Sequence, residues 1–219
     1  MNKKIIKQGI IVTLLIMLCG VGAALSLKAA IGVGAYDAMA MSFSNITKVP
    51  VGTIGMIFNC SCVVGEFLLL RKNFKFQHLL QIPLSIFLGF IVNFVLYNIL
   101  GDIVITNYFV NLGLFIFATI LLSAVVGVIM EINLVTFALE GFCKVIAEKR
   151  GWEFSTVRQA ADIISIIISV GLTLIFQVPW AVREGTIIGA IIFGPLMGMF
   201  MKLFRTQLRK SNLIVAEAE

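Results

Sequence analysis

The amino-acid sequence predicts an all-α membrane protein of about six transmembrane helices, built as two inverted three-helix repeats with re-entrant or interfacial connectors. Three observations predict it. Long apolar runs recur along the whole chain, basic residues crowd into alternate gaps between those runs, and the second half reproduces polar positions of the first at a fixed offset.

Of 219 residues, 60% are hydrophobic and 13% are charged, with a mean hydropathy of +1.06. That leaves too little polar surface to wrap a water-soluble globule, so lipid is the main solvent. A transmembrane helix needs about 20 mostly apolar residues. Residues 8–27, 76–101, 103–130 and 163–182 contain no Asp, Glu, Lys or Arg, residues 51–70 contain only Glu66, and 185–201 is a shorter sixth run. The first run follows a basic start in the manner of a signal peptide. It is long, however, and the later runs would hold the protein in the membrane in any case, so it reads as the first helix. No stretch is suited to fold separately in water, which makes residues 1–219 a single membrane domain. Repeat 1 is expected at about 8–101, repeat 2 at about 103–204 and a cytoplasmic tail at 205–219.

The 17 Lys and Arg set the orientation, because short cytoplasmic loops carry the excess of positive charge. With the N-terminus inside, one side receives Lys3, Lys4 and Lys7, the Arg71, Lys72 and Lys75 group, Lys144, Lys149 and Arg150, and the basic residues from Lys202 to Lys210. The other side receives only Lys28, Lys48 and Arg183. Both termini are therefore expected in the cytoplasm of a cell-membrane protein. The net charge of +6 is accounted for by this bias and by anionic lipid head groups, with no nucleic-acid partner.

Laid over itself at an offset of 103, the chain brings Asp37 onto Glu140, Thr53 onto Thr156 and Asn59 onto Asp162. At an offset of 106, Ser85-Ile86-Phe87 and Phe94 meet Ile191-Ile192-Phe193 and Phe200. Three spans per half force the second half to enter from the opposite face, which is the arrangement of many secondary carriers. Within each half a connector, 28–50 or 131–153, is too apolar for an ordinary loop. Irregular backbone at membrane depth survives only where protein or a wet cavity covers it, so these connectors are where a solute path is sought.

Ionisable groups inside a membrane are costly and are functional candidates by default. Ser155, Arg158, Gln159, Asp162, Ser165 and Ser169 form one helical stripe in the fifth span, with Arg158 and Asp162 spaced to pair. The equivalent stripe of the second span includes Asn59, and the two stripes are expected to face each other. Asp37 stands in the first connector with no basic residue one turn away. The candidate substrate-binding or ion-coupling residues are thus Asp37, Asn59, Arg158, Gln159 and Asp162. Glu66, beside Arg71, is expected to snorkel to the interface, and Glu140 to make a surface pair with Lys144 or to serve the site. Gly185, Gly189, Gly194 and Gly198 read as a packing stripe, and Pro83 and Pro195 as possible kinks.

The cysteines carry no chemistry in this reading. Cys60 and Cys62, two apart on a helix, point nearly opposite ways and cannot share a metal. His78 is the single histidine and has no serine motif near it, so His-based hydrolysis and His-rich metal or haem sites lack their parts. No enzyme activity, cofactor or metal is expected. The expected function is a secondary carrier for an unidentified small polar solute, with proton coupling as one option, and the alternative is a non-transporting scaffold or regulator.

Gly20-Val21-Gly22, Ala29-Ala30-Ile31-Gly32-Val33-Gly34-Ala35-Tyr36-Asp37 and Gly52-Thr53 resemble the first half of the YczE/YitT-like bacterial membrane proteins. Pro-Trp usually precedes the acidic residue in that family, whereas Ala35-Tyr36 precedes it here. The resemblance implies a bacterial inner membrane location and names no substrate.

Overall fold

A computed structural model describes residues 3–211, and it is all-helical among them. Six helices are long and apolar enough to cross a membrane: Ile6–Lys28, Val51–Asn73, Phe76–Ile99, Tyr108–Ile132, Phe154–Phe176 and Glu184–Lys210. In chain order the elements are α1 (Lys3–Lys28), α2 (Ala35–Thr47), α3 (Val51–Leu70), α4 (Phe76–Leu79), α5 (Gln81–Asn93), α6 (Tyr108–Ile132), α7 (Ala138–Arg150), α8 (Phe154–Phe176) and α9 (Glu184–Lys210). A single 3₁₀ turn, Arg71–Asn73, separates α3 from α4, and α5 continues as a π-helical segment, Phe94–Ile99. The part of the expected tail at 205–210 belongs to α9, and 212–219 lies outside the described residues.

The connectors hold α2 and α7. Each is a 13-residue helix, about 20 Å long at 1.5 Å per residue and so too short to span a bilayer. Their ends recur at the offset seen in the sequence. Ala35 and Ala138 open the two short helices, Lys48 and Gly151 close them in left-handed conformations (φ 61° and 68°), and Val51 and Phe154 open the long helices that follow. Ala30 and Asn133, also 103 apart, share positive φ before each short helix.

The long helices α1 and α6 pack together, α5 lies on α1, and α9 lies on α6. Val12, Ile16 and Cys19 meet Val125, Ile129 and Ile132 in the core between α1 and α6. Close packing of α3 on α5 depends on Gly52 and Gly89. A Cβ on either would overlap the other's carbonyl oxygen. Asn93 seals this seam, since its Oδ1 accepts from Gly52 N–H at 2.8 Å and its Nδ2 donates to Thr53 Oγ1 at 3.0 Å.

Each short helix crosses to the long helix of the other half, so that α2 lies along α8 and α7 lies along α3. The stripes on α3 and α8 therefore do not pack directly against each other. The short helices stand between them, an arrangement that spacing within one helix cannot reveal. The segment leading into α2 is pinned to the start of α9: Gly185 N–H donates to Ile31 O at 2.8 Å, and Val33 N–H to Thr186 Oγ1 at 3.2 Å. Gly32 (φ 123°) is required there, because a Cβ would lie 2.5 Å from Thr186 N. In the expected packing stripe, Gly185 and Gly189 are buried, whereas Gly194 and Gly198 have open space beside them.

Large apolar side chains cover the outside, among them Ile163, Ile167 and Ile175 on α8 and Ile187, Ile191 and Leu203 on α9. Water would not tolerate so broad an apolar surface, whereas lipid would. All four cysteines are free thiols.

Candidate functional site

Helix geometry alone brings Arg158 and Asp162 together, one turn apart on α8. Arg158 Nη1 donates to Asp162 Oδ1. The second partner comes from α7. Arg158 Nε donates to Glu140 Oε1 at 3.3 Å across 18 residues of chain. Glu140 is thus an internal partner of Arg158, not a surface partner of Lys144. The side chains of Arg158, Glu140 and Asp162 are 23%, 15% and 30% exposed, so the triad is largely withdrawn from solvent.

The first turn of α2 reaches the same place. Asp37 interacts electrostatically with Arg158, Asp162 and Glu140. Next to it, the Tyr36 hydroxyl donates to Asn59 Oδ1 on α3 at 3.2 Å, with the Tyr36 and Phe43 rings set edge-on to Phe58. Two helix N-termini, with their positive dipole ends, therefore carry acidic first-turn residues toward this centre, Glu140 bonded to the guanidinium and Asp37 within electrostatic range of it. Away from this centre, Ser169 Oγ donates to Ala38 O at 3.2 Å and shares a 2.8 Å hydrogen bond with Ser42 Oγ, which fixes α2 on α8.

Of the five residues expected at the site, Arg158 and Asp162 come together as an ion pair, Asp37 lies within electrostatic range of them without bonding to either, and Tyr36 beside Asp37 reaches Asn59. Gln159 lies exposed on α8 and is not brought into it. Glu140 and Tyr36 complete the arrangement. Glu140 was signalled by its alignment with Asp37, but its spacing to Lys144 offered a simpler partner. With every group ionised, three carboxylates against one guanidinium leave an excess of two negative charges. Such a centre can hold a cationic group or retain protons. Among the described residues no group of three or more His, Cys, Asp or Glu is placed to hold a metal ion.

A second polar group lies at the end of the bundle that carries Lys72 and Lys75. Glu66 is fully buried and does not snorkel. Its Oε2 is hydrogen-bonded to His78 Nδ1 and accepts, at 3.3 Å, from Gln81 Nε2. Here the chain turns back on itself between α3 and α5, so two groups 12 residues apart meet without any local spacing signal. Glu131 and Asn133, near the end of α6, do separate things. Asn133 ends α6 in a left-handed conformation, and Glu131 accepts from Arg205 Nε at 2.7 Å.

Residues 6–202 match the model of a family of unknown function, DUF6198. No curated protein and no solved structure matches the chain.

Proposed function

Because the chain belongs to the DUF6198 family, whose function is unknown, we propose from its own residues that it is a secondary carrier for a small polar solute. The observation that carries this reading is the convergence of α2 and α7, through Asp37 and Glu140, on the Arg158–Asp162 pair. A scaffold needs only a dry, apolar centre. Here the space between α3 and α8 is occupied by two short helices that bring ionisable groups into it, at a cost of about 2.5–3.5 kcal/mol per charge by insertion scales.

In the proposed arrangement the second half is inverted relative to the first, α2 and α7 are re-entrant from opposite faces, and both termini are cytoplasmic. The location is the bacterial inner membrane, as the basic-residue bias and the YczE/YitT-like resemblance suggest. The recurrence of Ala35, Lys48 and Val51 as Ala138, Gly151 and Phe154 supports a common three-helix unit. Two such units can rock about a shared centre and open it to either side. The negative excess favours a solute bearing a cationic group, with Asp162 as the proton-exchanging carboxylate and Arg158 as its partner.

The test is a comparison of metabolites inside and outside cells with and without the gene, followed by uptake of the displaced compound into vesicles holding the purified chain. We expect a small polar compound to change its distribution and to be taken up only by loaded vesicles. An unchanged distribution under conditions where the protein is expressed would favour the scaffold.

A further inference from the structure

We propose that Glu66, relayed through His78, is a second proton-binding site, separate from the Arg158 cluster and loaded from a vestibule at the basic end of the bundle. The vestibule has a volume of about 770 Å³ and is lined by Lys72, Lys75, His78, Gln81, Lys144 and Glu148, among others. Glu66 stands behind this lining with no surface of its own, and the half-buried His78 bridges the two.

Two atoms show that the site is built for something more than an ion pair. Glu66 Oε1 and Gln81 Oε1 are both buried and have no hydrogen-bond partner. Both are acceptors when the carboxylate is ionised, and an unpaired buried acceptor carries its full desolvation penalty. A proton on the carboxylate removes the charge that makes this unpartnered burial costly. Gly141 on α7 closes over the carboxylate so tightly that a Cβ there would overlap Glu66 Oε1 and lie 2.8 Å from Gln81 Nε2 and 3.2 Å from Thr136 Oγ1.

The offset of 103 gives an internal control. Glu66 and Gly141 correspond to Ser169 and Ala38, where the same helix-to-helix contact is made by a neutral serine hydroxyl. Packing a short helix against the long helix of the other half therefore does not require an acid. The acid is an addition of the basic end, and so is the histidine beside it.

The route is short. A proton from vestibule water is taken up at His78 Nε2, Nδ1 passes its own proton to Glu66 Oε2, and the ring is left neutral with its tautomer exchanged. His78 is held for this by Glu66 on one side and by the stacked Phe74 ring, 5.0 Å between centroids, on the other. The titratable groups facing the pair are Lys72 and Lys75 from the turn after α3, Lys144 and Glu148 from α7, and Cys62 on α3. Cys62 also neighbours Cys143 and Glu140, the latter a member of the Arg158 cluster.

The experiment is infrared difference spectroscopy of the full chain in lipid nanodiscs, between neutral and acidic pH. We expect a protonated-carboxyl band that is lost in E66Q, kept in D162N, and shifted in midpoint by about 1 pH unit in H78Q, because the carboxyl group loses its hydrogen bond to the imidazole. A band retained in full by E66Q, or a midpoint unmoved in H78Q, would overturn the proposal. If E66Q does not fold, the H78Q midpoint decides alone: a shift sustains the site and no shift overturns it. Because no transported compound enters the measurement, the result is independent of whether the protein is a carrier.

Discussion

Arg158 on α8 donates to Glu140 in the first turn of α7, 3.3 Å from Nε to Oε1, and this bond ties a short helix to the long helix that follows it. Because the same guanidinium also holds Asp162, removing it strands two carboxylates at once. Breaking a buried pair costs about 3–5 kcal/mol, and the partial exposure here lowers the expectation for R158A to about 2 kcal/mol. Thermal unfolding in detergent measures the loss. The charge-free combination R158M, E140Q and D162N should recover most of it, and no recovery would mean that the carboxylates are not what the arginine compensates.

Transport and folding separate at Asp162. In D162N the protein should fold and still bind solute, while accumulation driven by a pH gradient should fall to the level of empty vesicles. Normal pH-dependent uptake by D162N would remove the coupling role from this residue.

The Gly52–Gly89 seam predicts a local steric effect. G52A forces a methyl group into the Gly89 carbonyl and the Asn93 amide, and overpacking of this kind costs about 1–3 kcal/mol. G55A, where nothing lies within 4 Å, should unfold at the wild-type temperature or slightly above. Equal losses in both would show that helix propensity, not the seam, sets the response.

Orientation is read by labelling single cysteines placed at Asn73 and Val104 in a cysteine-free background. Position 104 should react with an impermeant reagent on intact cells, and position 73 only after the membrane is opened. The reverse pattern would invert the topology.

The residues show which parts of this fold a sequence can announce. Apolar runs and the 103-residue offset were visible because they are properties of the chain itself, and Arg158 with Asp162 was visible because one helical turn separates them. The fifth span, read to follow the connector at 131–153, begins at Phe154, whereas its charge-free run starts only at Ile163 because Arg158 and Asp162 interrupt it. Glu66 and His78 meet across a turn, and Glu140 and Arg158 meet across a helical hairpin. Both pairings depend on how the chain turns back between successive helices, so no periodicity within one helix encodes them.

The crossing of α2 onto α8 also has a cost in time. Ser169 reaches the carbonyl of Ala38 across 131 residues, so at about 5–20 residues per second α2 is made on the order of ten seconds before the helix it rests on exists. During that interval α2 has α3 to pack against but lacks the α8 partner of Ser42 and the Ala38 carbonyl. A ribosome stalled after α5 would therefore hold an unfinished half, exposed to membrane proteases, and release of the remaining chain would end that exposure.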